Sequence, residues 1–178
     1  ELEIQLHASA LRQSGDADAF LQQWNTLPDR LKHNTQILQT FASRADALAL
    51  ETKAVQVLSD HLGQLWTPEL LDSLAAISSH ANDQRIGLCE AWLPQHPDDA
   101  ALHAALGKLH GFEKNYAKAE TLLNRAVTLG PNSQSWETLG NIYAAQQKNE
   151  QASTAYANAL RLQREQAPLR LSGQSLRE

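Results

Sequence analysis

The sequence predicts an all-α fold, a superhelical solenoid of about five antiparallel helix hairpins. Apolar residues recur at three- and four-residue spacing along nearly the whole chain, and no stretch shows the alternation of a half-buried strand. Only six prolines and eight glycines interrupt 178 residues. A repeat with a period of 33 residues is also present, and a fixed period in this range is typical of stacked supersecondary units.

The repeat consists of two copies of one pattern. The second copy contains Trp136-x-x-Leu139-Gly140-x-x-Tyr143, and the first contains His103-x-x-Leu106-Gly107-x-x-His110 at the same positions. Later positions also correspond, namely Ala119, Leu123 and Ala126 with Ala152, Tyr156 and Ala159. This order of residues resembles the tetratricopeptide repeat (TPR), which usually has ~34 residues.

The repeated glycines fall within predicted helices, where glycine costs about 1 kcal/mol relative to alanine. This cost is tolerable if the missing side chain lets a neighbouring helix approach closely. Pro131 lacks an amide donor and is expected to separate the two copies. The residues predicted to form the repeat packing are Leu106, Gly107, Ala119, Leu123, Ala126, Pro131, Trp136, Leu139, Gly140, Tyr143, Ala152, Tyr156 and Ala159.

A single helical repeat domain is predicted over 1–164. Its clear repeats are 99–131 and 132–164, and its degenerate repeats are 1–30, 31–65 and 66–98. The predicted helix pairs are 1–13 with 17–27, 33–44 with 47–63, 67–79 with 83–94, 99–112 with 115–129, and 133–147 with 149–164.

Some helix ends are also predicted from single residues. Asp46 is expected to cap the helix that follows it, and Gly63 to end that helix. Residues 165–178 keep several leucines but include a proline and a Ser-Gly pair. They fit either a short capping helix over the last repeat or a frayed tail.

Bulk properties exclude several classes of function. A net charge of −5 argues against binding to nucleic acid or anionic lipid. The single Cys89 excludes an internal disulfide, and its spacing from Ile86 and Leu93 predicts a buried small hydrophobe. No run approaches the ~20 apolar residues of a membrane helix. The chain begins at Glu1 and lacks methionine, which indicates a fragment whose membrane or targeting segment would lie elsewhere.

No catalytic constellation is found, and neither a cofactor nor a metal site is predicted, because nucleophile-elbow, phosphate-loop and paired-carboxylate motifs are missing. His103 and His110 share one helical face, which raises haem or metal ligation as a hypothesis. The favoured interpretation is packing, since the two histidines occupy the places of Trp136 and Tyr143. Gly111 is expected to help end its helix.

A binding groove is the favoured kind of site. In stacked TPR hairpins the first helices line a concave surface, which suits a helix or an extended peptide of mixed polarity. A clamp for a C-terminal carboxylate is not expected, because Ala104 and Glu137 fall where cations would be needed. The predicted groove residues are Ala101, Ala104, Lys108, Phe112, Gln134, Glu137, Asn141 and Ala144.

A more specific resemblance begins at residues 90–109. This stretch contains Trp92-Leu93, then His96-Pro97-Asp98-Asp99, then Leu106-Gly107, and it resembles the segment before the best repeat of the proteobacterial HemY proteins. Trp66 before Thr67-Pro68, Trp24-x-x-Leu27-Pro28 and Gly15-Asp16 are similar to other turns of that family. The resemblance covers about residues 10–162, with looser motifs outside 90–160.

The resemblance implies a soluble TPR region that follows two membrane helices lying outside this chain. It further implies a bacterial inner-membrane protein, with this region on the cytoplasmic face, and an association with late protohaem biosynthesis. The expected function is a non-catalytic scaffold whose partners include haem-biosynthesis enzymes. Two alternatives stay open: a general TPR adaptor for assembly or secretion, and a haem or porphyrin carrier.

Overall fold

The computed structural model describes residues 1–78, 82–165, 169 and 171. Helices and turns account for the regular structure, and no strand occurs within these residues. The chain forms two compact units, Glu1–Leu88 (unit 1) and Cys89–Glu178 (unit 2). The all-α class predicted from the apolar spacing is therefore confirmed for the part of the chain that is described.

Unit 1 consists of helices of uneven length. The predicted helix 33–44 is preceded by an additional short helix, and the predicted helix 67–79 is replaced by a 3-10 turn that leads into a helix of six residues. The elements are α1 Leu2–Gln13, α2 Ala17–Asn25, α3 Asp29–Lys32, α4 Thr35–Ala47, α5 Glu51–Gln64, the 3-10 helix Pro68–Leu70, α6 Leu71–Ala76 and α7 Asn82–Trp92, which continues into unit 2.

An aromatic cluster forms part of the core of unit 1. Phe20 and Phe41 are completely buried, with ring centroids 5.0 Å apart. Trp24 also packs against Phe41, with the two ring centroids 4.2 Å apart. Burying a phenylalanine or tryptophan side chain removes 150–250 Å² from water, so these three rings are a major source of the stability of this unit.

The predicted caps at Asp46 and Gly63 are wrong. Helix α4 continues through Asp46 to Ala47, because the chain turns only at Ala49, which adopts a left-handed φ of 58°. Asp46 instead accepts hydrogen bonds from the backbone N–H (2.8 Å) and hydroxyl (2.9 Å) of Ser78. Gly63 lies inside the last turn of α5, which ends at Gln64.

The end of α6 is capped by a side chain from α7. Arg85 is 1% exposed, and its Nη1 donates to the carbonyl oxygens of Leu74 (3.1 Å), Ala75 (3.2 Å) and Ile77 (2.6 Å). These oxygens are among those that a helix leaves unpaired at its C-terminus, where a positive charge is also favoured by the helix dipole. Cys89, one turn later, is completely buried, as predicted.

Unit 2 is more regular and contains two antiparallel hairpins. The observed helices agree with the predicted pairs to within about two residues, and side-chain oxygens of Asp99 and Asn132 cap two of them by accepting from Leu102 N (3.0 Å) and Ser135 N (2.8 Å). The four helices are α8 Ala100–Phe112, α9 Tyr116–Leu129, α10 Ser133–Ala145 and α11 Asn149–Gln163.

The turns inside three hairpins share one geometry that contains no glycine. Ala49, Lys114 and Gln147 have φ values of 58°, 58° and 60°, in the left-handed region. The following N–H in each turn bonds to a carbonyl five residues earlier, as Asn115 does to His110 and Lys148 to Tyr143, both at 2.9 Å. This bond satisfies a carbonyl at the helix end and reverses the chain sharply.

The repeated glycines of unit 2 lie against the second helix of their own hairpins. A Cβ atom on Gly107 would lie 2.6 Å from Leu123 Cγ, and one on Gly140 would lie 2.6 Å from Tyr156 Cε1. Only glycine therefore fits without movement of the facing side chain. The apolar core around this packing also contains Trp136, 6% exposed. Pro131 is exposed in the link between α9 and α10.

Candidate functional site

A surface cavity of about 250 Å³ lies between the first helices of the two hairpins of unit 2. Lys108 and Phe112 of α8 and Asn141 of α10, all predicted groove residues, line it. We call this surface the α8/α10 groove. Its remaining lining residues are Gly111, Tyr116, Thr138, Ile142 and Ala145.

The other predicted groove residues do not line the cavity. Ala101 and Ala104 are half-buried on α8. Gln134, Glu137 and Ala144 are exposed on α10. The structure therefore brings together three of the eight predicted residues, Lys108, Phe112 and Asn141, and leaves the other five outside the cavity.

The apolar part of the groove depends on Gly111 and Phe112. Gly111 lies in the last turn of α8, which ends at Phe112 as in the predicted helix 99–112. A Cβ atom on Gly111 would lie 2.6 Å from Ile142 Cδ1, so this glycine makes room for Ile142. Phe112 is 53% exposed and is one of the few large apolar side chains left open in the described chain.

The polar part of the groove is oriented by α11. The hydroxyl of Tyr156 donates to Oδ1 of Asn141 at 2.7 Å. With Oδ1 used in this way, Nδ2 of Asn141 is the atom that can donate to a bound molecule. The sequence predicts that Tyr156 packs between the helices of the repeat. Its hydrogen bond to Asn141 is a second role, which the repeat spacing does not reveal.

The two histidines of α8 have different surroundings. His103 is half-buried, and its Nε2 lies 2.8 Å from the carbonyl oxygen of Pro97. His110 is 6% exposed, as Tyr143 is at 3% in the corresponding position of α10. Burial, together with the charge of Lys118, lowers the pKa of His110, which therefore stays neutral at pH 7.

An ion pair lies beside His110. Lys118 Nζ is 2.7 Å from Glu90 Oε1, and this hydrogen bond lowers the pKa of Glu90. His110 Nε2 is 3.9 Å from the same oxygen. Among the described residues, no three His, Cys, Asp or Glu side chains come close enough together to hold a metal ion.

Two further cavities lie in unit 1. One of about 190 Å³ is bordered by Gln39, Asp46 and Asp72, and one of about 240 Å³ by Arg12 and Arg44. Clefts that bury a drug-sized ligand have volumes of about 300–1,000 Å³. The three cavities are thus suited to one or two side chains of a bound protein rather than to a large cofactor.

Comparison with known proteins supports the fold. A family profile described as tetratricopeptide repeat matches residues 133–166. The structure is similar to that of MamA (41-end) from Desulfovibrio magneticus RS-1, with a TM-score of 0.54 and 19% identity over 93% of this chain and 95% of that one. It is also similar to MamA MSR-1 C2, with a TM-score of 0.52 and 12% identity over 92% and 95% of the two chains.

The fold is TPR-like. This conclusion confirms the predicted fold class, while identities below 25% limit these similarities to the fold itself. No curated protein matches the sequence. In the part of the chain that the structure describes, every helix is too short or too polar to span a lipid bilayer.

Proposed function

We propose that this TPR-like region is a non-catalytic protein-binding module, and that unit 2 holds a peptide segment of its partner in the α8/α10 groove. The observation that carries the proposal is the pairing of a half-exposed Phe112 with an oriented Asn141 amide donor at one cavity. The TPR-like fold supports the same class of function, because stacked helix pairs present extended surfaces for binding.

The dimensions and chemistry of the groove favour a peptide over a small molecule. Its volume of about 250 Å³ accommodates an apolar side chain, which would contact the Phe112 ring. The Nδ2 group of Asn141 would donate to a backbone carbonyl of the same peptide. The apolar side chain of the peptide would then set the specificity. Peptides that dock by apolar anchors in a groove are recognised in this combined way.

Selection of random dodecapeptides displayed on phage tests this proposal. We expect peptides enriched on the wild-type chain to contain an apolar anchor, and to bind the double variant Phe112→Ala/Asn141→Ala at least about tenfold more weakly. A tenfold loss corresponds to about 1.4 kcal/mol, which is within the range for truncating two contact residues.

Leu160→Ala is the matched control, because Leu160 is an exposed apolar residue of α11 (54%) outside the groove. Peptides selected on the wild type should bind this variant with unchanged affinity. Equal binding to the wild type and the groove double variant would rule out the α8/α10 groove as the site.

A finer proposal concerns the identity of the partners. The resemblance of residues 90–109 to HemY proteins supports partners from late haem biosynthesis and a setting at the bacterial inner membrane. We expect the wild-type chain to recover porphyrin-handling enzymes from detergent-solubilised bacterial membranes, and the groove double variant to recover them poorly. Recovery of unrelated proteins in a groove-dependent way would favour the general adaptor instead.

A further inference from the structure

Asn158 on α11 forms two hydrogen bonds with the backbone of one residue beyond the helix. Its Nδ2 donates to the carbonyl oxygen of Leu169 at 2.7 Å, and its Oδ1 accepts from the N–H of Leu169. Two residues that face each other in an antiparallel sheet exchange the same pair of bonds. The carboxamide thus recognises a peptide backbone, and neither bond involves the Leu169 side chain.

The side chain that gives the contact its specificity is that of Leu171, two residues after Leu169. Leu171 is 4% exposed and belongs to the apolar core of unit 2, together with Trp136 and Leu139. The side chain of Leu169, in contrast, is 46% exposed. The chain is therefore held through its backbone at Leu169 and through its apolar side chain at Leu171.

The repeat packing does not account for Asn158. It is completely buried, between the buried Ala155 and Ala159. Arg125, 33 residues earlier, holds the corresponding position on α9, but it is exposed and forms an ion pair with Asp98 at 2.6 Å. A buried carboxamide requires hydrogen-bond partners. Both partners of Asn158 belong to Leu169, beyond the end of the helix.

We propose that α11 carries a peptide-binding site centred on Asn158, which recognises the backbone of one residue and a leucine side chain two residues later. The resident ligand groups are the backbone of Leu169 and the side chain of Leu171 of this chain. A peptide of the same sequence supplied in trans competes for the site. This site is separate from the α8/α10 groove and does not depend on the function proposed for that groove.

The short connection controls access to the site. Three residues separate Glu165 from Leu169, and a short link gives a tethered ligand an effective concentration on the order of 1 mM. For a free peptide with an intrinsic Kd of about 0.1 mM, the tethered segment weakens apparent binding about tenfold. Loss of the Leu171 anchor would open the site to other peptides.

A fluorescein-labelled peptide of residues 165–174 tests the proposal on the full chain, with fluorescence anisotropy as the readout. We expect Leu171→Ser to bind the peptide saturably and at least about tenfold more tightly than the wild type. Addition of Asn158→Ala to that variant should weaken binding at least about tenfold. A peptide carrying Leu171→Asp serves as the control ligand and should not bind.

Hydrogen exchange of the Leu169 amide provides a measurement that does not require peptide binding. We expect protection in the wild type, loss of protection in Asn158→Ala, and unchanged protection in the control Asn149→Ala, which alters an exposed asparagine on the same helix. Two results overturn the proposal: an unprotected Leu169 amide in the wild type, or equal peptide affinity of Leu171→Ser with and without Asn158→Ala.

Discussion

The two units use their glycines in opposite ways. In unit 1, Gly15, Gly63 and Gly87 have no atom within 4 Å of the place where a Cβ would be. In the described part of unit 2, all four glycines face a close neighbour; for Gly111 it is Ile142 and for Gly130 it is Ala100 Cβ, at 3.0 Å. The glycines of unit 2 thus make room for neighbouring side chains, whereas those of unit 1 are exposed and make room for none.

Large side chains take over the corresponding role in unit 1. Phe20, Trp24 and Phe41 fill the space between helices, while Asp46 and Arg85 connect distant backbone groups. Helix hairpins are therefore held together in two ways in this molecule. Small residues that permit close approach leave a periodic pattern in the sequence, whereas individual aromatic and polar contacts leave none.

The largest effect that would test this comparison is expected at Phe41. Phe41→Ala removes a completely buried ring in contact with two others, and should lower the free energy of unfolding by about 3–5 kcal/mol. Phe112→Ala is the matched control, and should change stability by less than about 0.5 kcal/mol because that ring is 53% exposed. Urea unfolding measures both, and similar losses would contradict the assigned aromatic core.

Replacing one glycine of each unit by alanine should change the free energy of unfolding less than Phe41→Ala does. The sign of the change should differ between the two units. Gly87→Ala in α7 should raise the free energy of unfolding by about 0.5–1 kcal/mol, since it improves helix propensity and meets no neighbour.

Gly107→Ala gains the same propensity but forces a methyl group against Leu123 and to 3.3 Å from the backbone oxygen of Ala119. Overpacking of this kind costs about 1–3 kcal/mol, so we expect the two variants to differ by that amount. Thermal and urea unfolding of the pair measure the difference. If both variants were equally stable, the packing role of Gly107 would be wrong.

The smallest effect concerns pH, and both units contribute. Burial lowers the pKa of His61 in unit 1 and of His110 in unit 2; the neighbouring His33, with Nδ1 atoms 3.4 Å apart, lowers that of His61 further. The unfolded chain then binds more protons at mildly acidic pH. The stability due to these neutral histidines is complete above the ordinary pKa of about 6.5 and is lost as pH falls through it toward the lowered values.

The double variant His61→Gln/His110→Gln checks this sign. Its melting temperature should fall less than that of the wild type between pH 7.5 and pH 5.5, and each single variant should be intermediate. An unchanged fall in the double variant would show that neither buried histidine contributes to acid sensitivity.

The regular part of the fold could be predicted, and the irregular part could not. The helices of unit 2 follow from apolar spacing and a 33-residue period, which depend on local geometry. Arg85 stands four residues before the buried Cys89, a spacing that places it on the same face of α7, but a charge is normally expected at the surface. Its partners, the carbonyls at the end of α6, exist only after the chain has folded.

The candidate site was partly predictable for the same reason. Lys108, Phe112 and Asn141 could be assigned to one face because they lie on the first helices of successive repeats. The Tyr156 contact that orients Asn141 joins two helices, so no spacing within one helix reveals it. For residues 165–178 the sequence fits either a capping helix or a frayed tail, and most of these residues lie outside the described part. Leu171, which is described, is buried.

The amino-acid order alone determined the helical class, the 33-residue repeat and the positions where small residues recur, because these depend on periodicity along the chain. Only the tertiary structure decided that Ile142 fills the space beside Gly111, that Arg85 caps α6, and that Asn158 holds the backbone of Leu169. Each of these contacts joins groups from different elements. Their distances are set by how the helices pack, and the spacing within a single helix carries no information about that packing.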